Sequence, residues 1–192
     1  MRVVNTFKDG PEGWCSYEYH ASVVAGQNYF VLTTWDGCGG SDNSGCVWAD
    51  HTRWSTDAPE RPVSILPLIL YLNWVGEASI DLRGAEVSVQ LRGDELKLAG
   101  ADCYFWVHAS GTRWHYNSQP VPIAMGGWQE PFCLKLVNDE AEWHNSWVRP
   151  AVTEANLDEV LSNTTSYGFS FVGFASEVTG KLSMSSFKIS RR

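Results

Sequence analysis

Two neighbouring stretches of the chain carry rings and hydrogen-bonding tips at alternate positions. Along Cys103 to Ala109, an extended chain sends Tyr104, Trp106 and His108 to one side and Phe105 and Val107 to the other. Along Thr112 to Ser118, Arg113, His115 and Asn117 alternate with Trp114 and Tyr116. Just upstream, Gln90 and Arg92 alternate with Val87, Val89 and Leu91. If the three stretches are adjacent strands of one sheet with one buried face, the opposite face gathers Gln90, Arg92, Tyr104, Trp106 and His108. Either Arg113 with His115 or Trp114 with Tyr116 joins them. Rings beside planar donors and acceptors suit a sugar: its C–H face stacks on an aromatic plane while a guanidinium fork or an amide pairs with its hydroxyls. A core does not ordinarily take a histidine beside two such rings without a buried partner. The competing reading makes Trp106 and Trp114 core, and Arg92 and Arg113 ion-pair partners of Glu86 or Asp94.

Such a face needs a sheet to carry it, and the chain has the punctuation of one. Val3 to Phe7 reads as a first strand, Tyr17 to Val24 and Asn28 to Trp35 as a hairpin about Ala25-Gly26-Gln27, and Val47 to Trp54 as a further strand. Pro62 to Trp74 alternates irregularly, as a bent or bulged strand does. A tight Ser110-Gly111 turn joins the two ring-bearing stretches. Phe132 to Val137, Tyr167 to Phe174 and Lys181 to Ile189 complete the strands, with Gly180 turning between the last two. Phe169 and Phe171 read as core, and the glycines of that segment leave room for a ligand to approach. Asp36 to Gly45 is nearly all turn formers, and Glu140 to Trp147 reads as a tryptophan-bearing turn. Thr153 to Asn163 is the one expected helix, with Leu157, Val160 and Leu161 on one side and Thr153 as N-cap. Many short strands and one small helix imply an all-β fold, an antiparallel two-sheet β-sandwich of jelly-roll type, with residues 1–192 as one domain.

Composition narrows the function. Fourteen Lys and Arg against 22 Asp and Glu give a net charge of −8 with no basic run, which argues against nucleic acid, whose backbone is bound by clustered cations. The longest apolar stretch, Ile65 to Val75, is broken by Pro67 and Asn73 and falls short of the ~20 residues of a membrane helix. The start, MRVVNTFKDG, holds no signal-peptide core, so a soluble chain is expected. Five cysteines are an odd number at irregular spacing; Cys38 and Cys46 could close a loop, though free thiols are expected for a domain of this size. Ten tryptophans exceed what a core alone requires and favour an exposed binding platform.

The order of these features resembles a known group. Phe7, then Gly13-Trp14, then Asp81-Leu82-Arg83-Gly84 before a strand, the late Trp143 and Trp147, a short helix ending Leu161-Ser162-Asn163, and a final pair of strands are similar to the galactose-binding-like jelly rolls. That group includes laminin domain IV modules and many carbohydrate-binding modules. The resemblance implies glycan or protein binding on a concave sheet face or end loops, usually without catalysis. It also implies a structural calcium between acidic residues near the first strand and an aspartate before the last. Asp9 and Glu12 match the first half; the counterpart reads Leu182-Ser183-Met184-Ser185-Ser186-Phe187, with no carboxylate, which speaks against the ion.

The leading expectation is therefore non-catalytic glycan recognition through Gln90, Arg92, Tyr104, Trp106, His108, Arg113 and His115. One alternative is a polysaccharide-active enzyme on the same face, either a hydrolase with two carboxylates or a lyase pairing Tyr116 with His108 or His115. The other is a protein-interaction module. No GxSxG, Walker or Rossmann motif supports other chemistry.

Overall fold

Residues 1–18, 29–57 and 61–191 are described by the structure, a computed structural model. In chain order its strands are β1 (Arg2–Asn5), β2 (Cys15–Glu18), β3 (Tyr29–Leu32), β4 (Thr34–Asp36), β5 (Cys46–Asp50), β6 (Ser55–Thr56) and β7 (Ser64–Tyr71). There follow β8 (Glu86–Lys97), β9 (Asp102–Ala109), β10 (Thr112–Tyr116), β11 (Ala124–Met125), β12 (Phe132–Lys135), β13 (Trp143–Val148), helix α1 (Leu157–Ser162), β14 (Ser166–Val172) and β15 (Thr179–Ser190). They form two sheets. The first runs β11-β8-β15-β5-β4, with β1 also on β15 and β12 also on β8; the second runs β13-β10-β9-β14-β7-β2-β3, with β6 also on β7.

The core between the sheets follows from the alternation. Val87, Val89 and Leu91 of β8 face Phe105 and Val107 of β9 and Tyr167, Phe169 and Phe171 of β14, all buried. β15 delivers Leu182, Met184, Phe187 and Ile189 to the same core, because a register shift between Met184 and Ser186 restores the inward phase. Phe187 is the hub of the rings: Trp14 meets it edge-on at 4.9 Å, and Tyr167 stacks on it at 5.4 Å. Burying so many rings supplies the dominant stabilisation of such a sandwich.

Several expectations need correction. The three central stretches are not neighbours in one sheet: β8 belongs to the first sheet, whereas β9 and β10 belong to the second. The connection Leu98 to Ala101, with Ala99 and Gly100 at positive φ, carries the chain across. Glu140 to Trp147 is a single 3-10 turn followed by β13, which pairs with β10. The helix begins at Leu157, capped by the Asn156 side chain accepting the Glu159 N–H; Thr153 is exposed and outside it. Gly180 lies inside β15 at a register shift, not in a turn before it. All five cysteines are free, so no Cys38–Cys46 bridge forms. The Ala25-Gly26-Gln27 turn lies outside the described residues. Among them, no helix is long and apolar enough to cross a membrane.

Candidate functional site

The strand register of the second sheet lays out its outer face in rows. One row runs Trp147 (β13), Arg113 (β10), His108 (β9), Ser166 (β14) and Tyr71 (β7). The next runs His144, His115, Trp106, Gly168, Ile69 and, on β2, Cys15. Trp114 and Tyr116 point the other way into the core, so β10 gives Arg113 and His115 to this face. The Tyr116 hydroxyl donates to the Lys135 carbonyl, on the opposite side of β10 from the histidines, which removes the tyrosine and histidine pair of a lyase. The β9–β10 turn has φ of 50° at Ser110 and 74° at Gly111, both positive as a primed hairpin turn demands, and it fixes the pairing of Arg113 with His108.

The face is rolled into a trough. β10 and β7 are separated by two strands, about 14 Å in a flat sheet. Yet the Arg113 guanidinium donates to Ser64 Oγ of β7 at 3.3 Å and lies 3.5 Å from the carboxylate of Asp57, between β6 and β7. Only a curved sheet brings these together. Nε of Arg113 donates to Ser146 Oγ at 3.1 Å, and the guanidinium lies 5.7 Å from the Trp106 ring and 6.0 Å from the Trp147 ring. Asp57 also accepts from the backbone N–H groups of Val63 and Ser64 and from the Ser64 hydroxyl.

Trp106 is the floor of the trough. It is only 2% exposed and packs with Cys15, Leu66 and Ile69, with Tyr71 alongside, in a small apolar cluster separate from the main core. The missing side chain of Gly168 makes this possible. A Cβ there would sit 2.9 Å from the indole and 2.2 Å from the Leu68 carbonyl oxygen, so the glycine makes room for Trp106 rather than for a ligand.

Above this floor lies a cleft of about 500 Å³. Its walls carry the rings of Tyr71, Trp74 and Trp147, and its polar lining includes His108, Arg113, Arg149, Asp57, Asn73 and Ser166. Tyr71 and Trp74 lie ring to ring at 4.2 Å. Two buried polar atoms of lining residues, Trp106 Nε1 and Ser55 Oγ, have no hydrogen-bond partner among the described residues. An unmet buried group of this kind costs free energy unless water or a ligand meets it.

Burial governs the charges. The half-buried His108 imidazole has its pKa pulled down to about 4 by desolvation and then by Arg113 and Arg149, and its Nδ1 lies 3.2 Å from Ser166 Oγ. His115 is held well below the ordinary histidine range by burial, then by Arg113 and His144. Burial lowers Arg113 to about 10 against the opposing pull of Asp57, which leaves it charged at neutral pH. The trough thus presents neutral imidazoles and an ion pair at its base. Arg149 stands exposed at the rim.

The expected residues therefore fall in three places. Trp106, His108 and Arg113 line the cleft. Tyr104 and His115 share its face but not its lining: Tyr104 pairs with Ser170 further along β9, and His115 is 3% exposed beside Trp106. Gln90 and Arg92 lie on the other sheet. Gln90 accepts from Ser41 and Ser186 and donates to the Gln129 carbonyl; Arg92 pairs with Asp94 at 3.2 Å and lies 4.5 Å over the Trp128 ring. Tyr71, Trp74, Trp147 and Asp57 were not anticipated in the cleft. The signal for Tyr71 is present in the sequence, since Leu66, Ile69 and Tyr71 are the apolar residues left over once Ile65, Leu68 and Leu70 are assigned inward.

Of the acidic pair near β1, Glu12 is engaged within the chain. The Glu12 carboxylate accepts from Asn5 Nδ2 and from the backbone N–H groups of Thr6 and Phe7, while Asp9 is exposed. Among the described residues no group of three or more His, Cys, Asp or Glu side chains could hold a metal ion.

The two sheets and their strand order define a β-sandwich of jelly-roll type. Among solved structures, the chain is similar to the family 11 carbohydrate-binding module of the cellulosomal cellulase Lic26A-Cel5E of Clostridium thermocellum, with a TM-score of 0.53 at 11% identity over 98% of this chain and 94% of that one. The family 11 module from Clostridium thermocellum in complex with a β-1,3-1,4-mixed-linked tetrasaccharide gives 0.52 at 11% identity over the same shares. The L4b domain of human laminin alpha-2 gives 0.52 at 10% identity over 100% and 99%. At such identities the likeness is one of fold. No family model and no curated protein matches the chain.

Proposed function

We propose that this protein binds a glycan, without catalysis, in the cleft on the outer face of its second sheet. The observation that carries the reading is the cleft itself: rings of Tyr71, Trp74 and Trp147 stand around a floor of Trp106 and a buried Arg113–Asp57 pair. Aromatic walls take the apolar faces of sugar rings, and His108, Arg113, Arg149 and Asn73 offer hydrogen bonds to hydroxyls. A concave cleft of a few hundred Å³ in which polar groups converge between aromatic walls is a usual form of small-molecule site. The family 11 module bound to a tetrasaccharide supports the choice of probe.

Binding without turnover is the better reading for a specific reason. A glycosidase needs two carboxylates about 5 to 10 Å apart across the scissile bond. Among the described residues of the lining, Asp57 is the one carboxylate, and Ser64 and Arg113 occupy its oxygens. The test is titration calorimetry against mixed-linkage β-1,3-1,4 glucan and a panel of other soluble glycans, with a reducing-sugar assay on the same samples. Heat of binding with no new reducing ends is expected. Release of reducing ends would replace this reading with the hydrolase, and no binding to any glycan would remove it.

A further inference from the structure

A second cleft, of about 430 Å³, opens at the end of the sandwich where β5 leaves the first sheet and β14 leaves the second. Its lining includes Trp54, Thr56, Pro62, Ile65, Phe174 and Glu177. It is not isolated. Thr56 lines both clefts, and the two-residue strand β6 stands between them. Ser55 pairs with Leu66 and Thr56 with Ile65; Ser55 and Leu66 belong to the first cleft, Ile65 to the second. Alternate residues of a strand point to opposite sides, so the two clefts meet around this short stretch of β6–β7 ribbon.

We propose, resting on the glycan reading above, that a linear oligosaccharide leaves the first cleft, crosses the rim at Thr56 and is held again in the second, so that the protein recognises the interior of a chain and not its end. A site for a chain end is closed behind the terminal sugar. Here, among the described residues, Thr56 lines both clefts, and the second begins on its far side. The second cleft has the same chemistry in smaller measure. Trp54 and Phe174 are partly exposed rings, with Trp54 held edge-on to Phe171 at 5.2 Å and its Nε1 donating to the Ala49 carbonyl. Glu177 is an exposed carboxylate that accepts from sugar hydroxyls. Ser55 Oγ, buried and without a partner among the described residues, stands at the junction.

Titration with di-, tetra- and hexasaccharides of mixed-linkage β-glucan tests this. The intact protein should bind the hexasaccharide at least about tenfold more tightly than the tetrasaccharide, since only the longer chain reaches both clefts. Ala175→Trp, at an exposed loop position lining the second cleft, should bring hexasaccharide affinity down to the tetrasaccharide level and leave tetrasaccharide binding unchanged. Glu177→Gln, also exposed, should weaken only the hexasaccharide, by a smaller factor, and guards against misfolding of the bulkier variant. Equal affinity for the two lengths, or no effect of either substitution on the hexasaccharide, would overturn the proposal while leaving the first cleft as a glycan site. Absence of binding at every length would sink both.

Discussion

The two outer faces of the sandwich are made of the same materials and end in opposite conditions. On the first sheet, Arg92, Gln90 and Ser185 lie under the loop between β4 and β5. Ser41 Oγ and Ser186 Oγ donate to Gln90, the Ser41 N–H donates to Ser185 Oγ, and Trp128 Nε1 and Arg92 both donate to the Gly39 carbonyl. Asp94 lies between Arg92 and Lys181, at 3.2 and 3.1 Å. The loop thus covers that face and binds several of its polar side chains, although Arg92 Nε and Ser183 Oγ have no partner among the described residues. On the second sheet Arg113 is tied to Asp57, but rings stand around an open cleft with Trp106 Nε1 and Ser55 Oγ still unmet. Residue type alone therefore does not make a binding face. What separates the two faces is access: a loop of the chain lies over the first, while rings stand around an open cleft on the second.

The sharpest way to break the contrast is at Trp106. If its ring is structural as well as lining, Trp106→Ala should cost about 3 to 5 kcal/mol in urea unfolding, the usual scale for emptying a tryptophan from a packed site. A stability loss under about 1 kcal/mol would mean that the small cluster with Cys15, Leu66 and Ile69 is not packed as described. Trp147→Ala separates the two roles, because that ring is only partly buried. It should cut glycan affinity by about tenfold or more with little change in stability.

Next in size is the buried ion pair. Asp57→Asn leaves the Arg113 charge enclosed without its counterion, with side chains 7% and 5% exposed, and should cost about 3 kcal/mol. The double replacement Asp57→Asn with Arg113→Met should recover much of that loss. Failure to recover would show that the pair works mainly through the hydrogen bonds of Asp57 to Val63 and Ser64.

The same face should also make the protein sensitive to mild acid. His108 is ordinary at 6.5 when unfolded and about 4 when folded, so the unfolded chain takes up a proton that the fold refuses. Stability is then complete above 6.5 and falls as pH drops towards 4, by about 3 kcal/mol at 1.36 kcal/mol per unit. His115 adds in the same direction. Asp81 behaves otherwise: hydrogen bonds from Arg83, then Arg191, hold it below the usual carboxylate range, so its contribution is lost only below about pH 4. Urea midpoints at pH 7.5 and 4.5 should differ clearly, and His108→Gln should shrink the difference. A flat profile would mean that both imidazoles are reached by water.

How much of this was legible follows from what a strand's own residues can say. The inward set Val87, Val89, Leu91, Phe105 and Val107 and the Ser110-Gly111 turn are local facts, and the sequence states them. Strand partnership is not local. β8 pairs with β15, about a hundred residues away, and nothing in its alternation distinguishes that from pairing with β9. Burial of Trp106 was hidden for a related reason: period two places it off the core, and only the roll of the sheet and the space left by Gly168 on another strand enclose it. β13 was missed because a register shift opposite Arg113 and Trp114 breaks its phase, leaving a run of mixed residues that reads as a turn.

The smallest expected effect is the most telling control. Gln90 sits at the same kind of alternate position as Trp106 and His108, and sequence reasoning placed it with them. Its amide is engaged at both ends, by Ser41, Ser186 and Gln129. Gln90→Ala should lose about 1 kcal/mol of stability, because the loop loses its anchor and water replaces only part of it. Glycan affinity should not change at all, since the residue faces away from the cleft on the opposite sheet. A tenfold loss of affinity in that variant would place a ligand on the first sheet. The loop between β4 and β5 would then be a partner to be displaced, not a cover, and the contrast between the two faces would collapse.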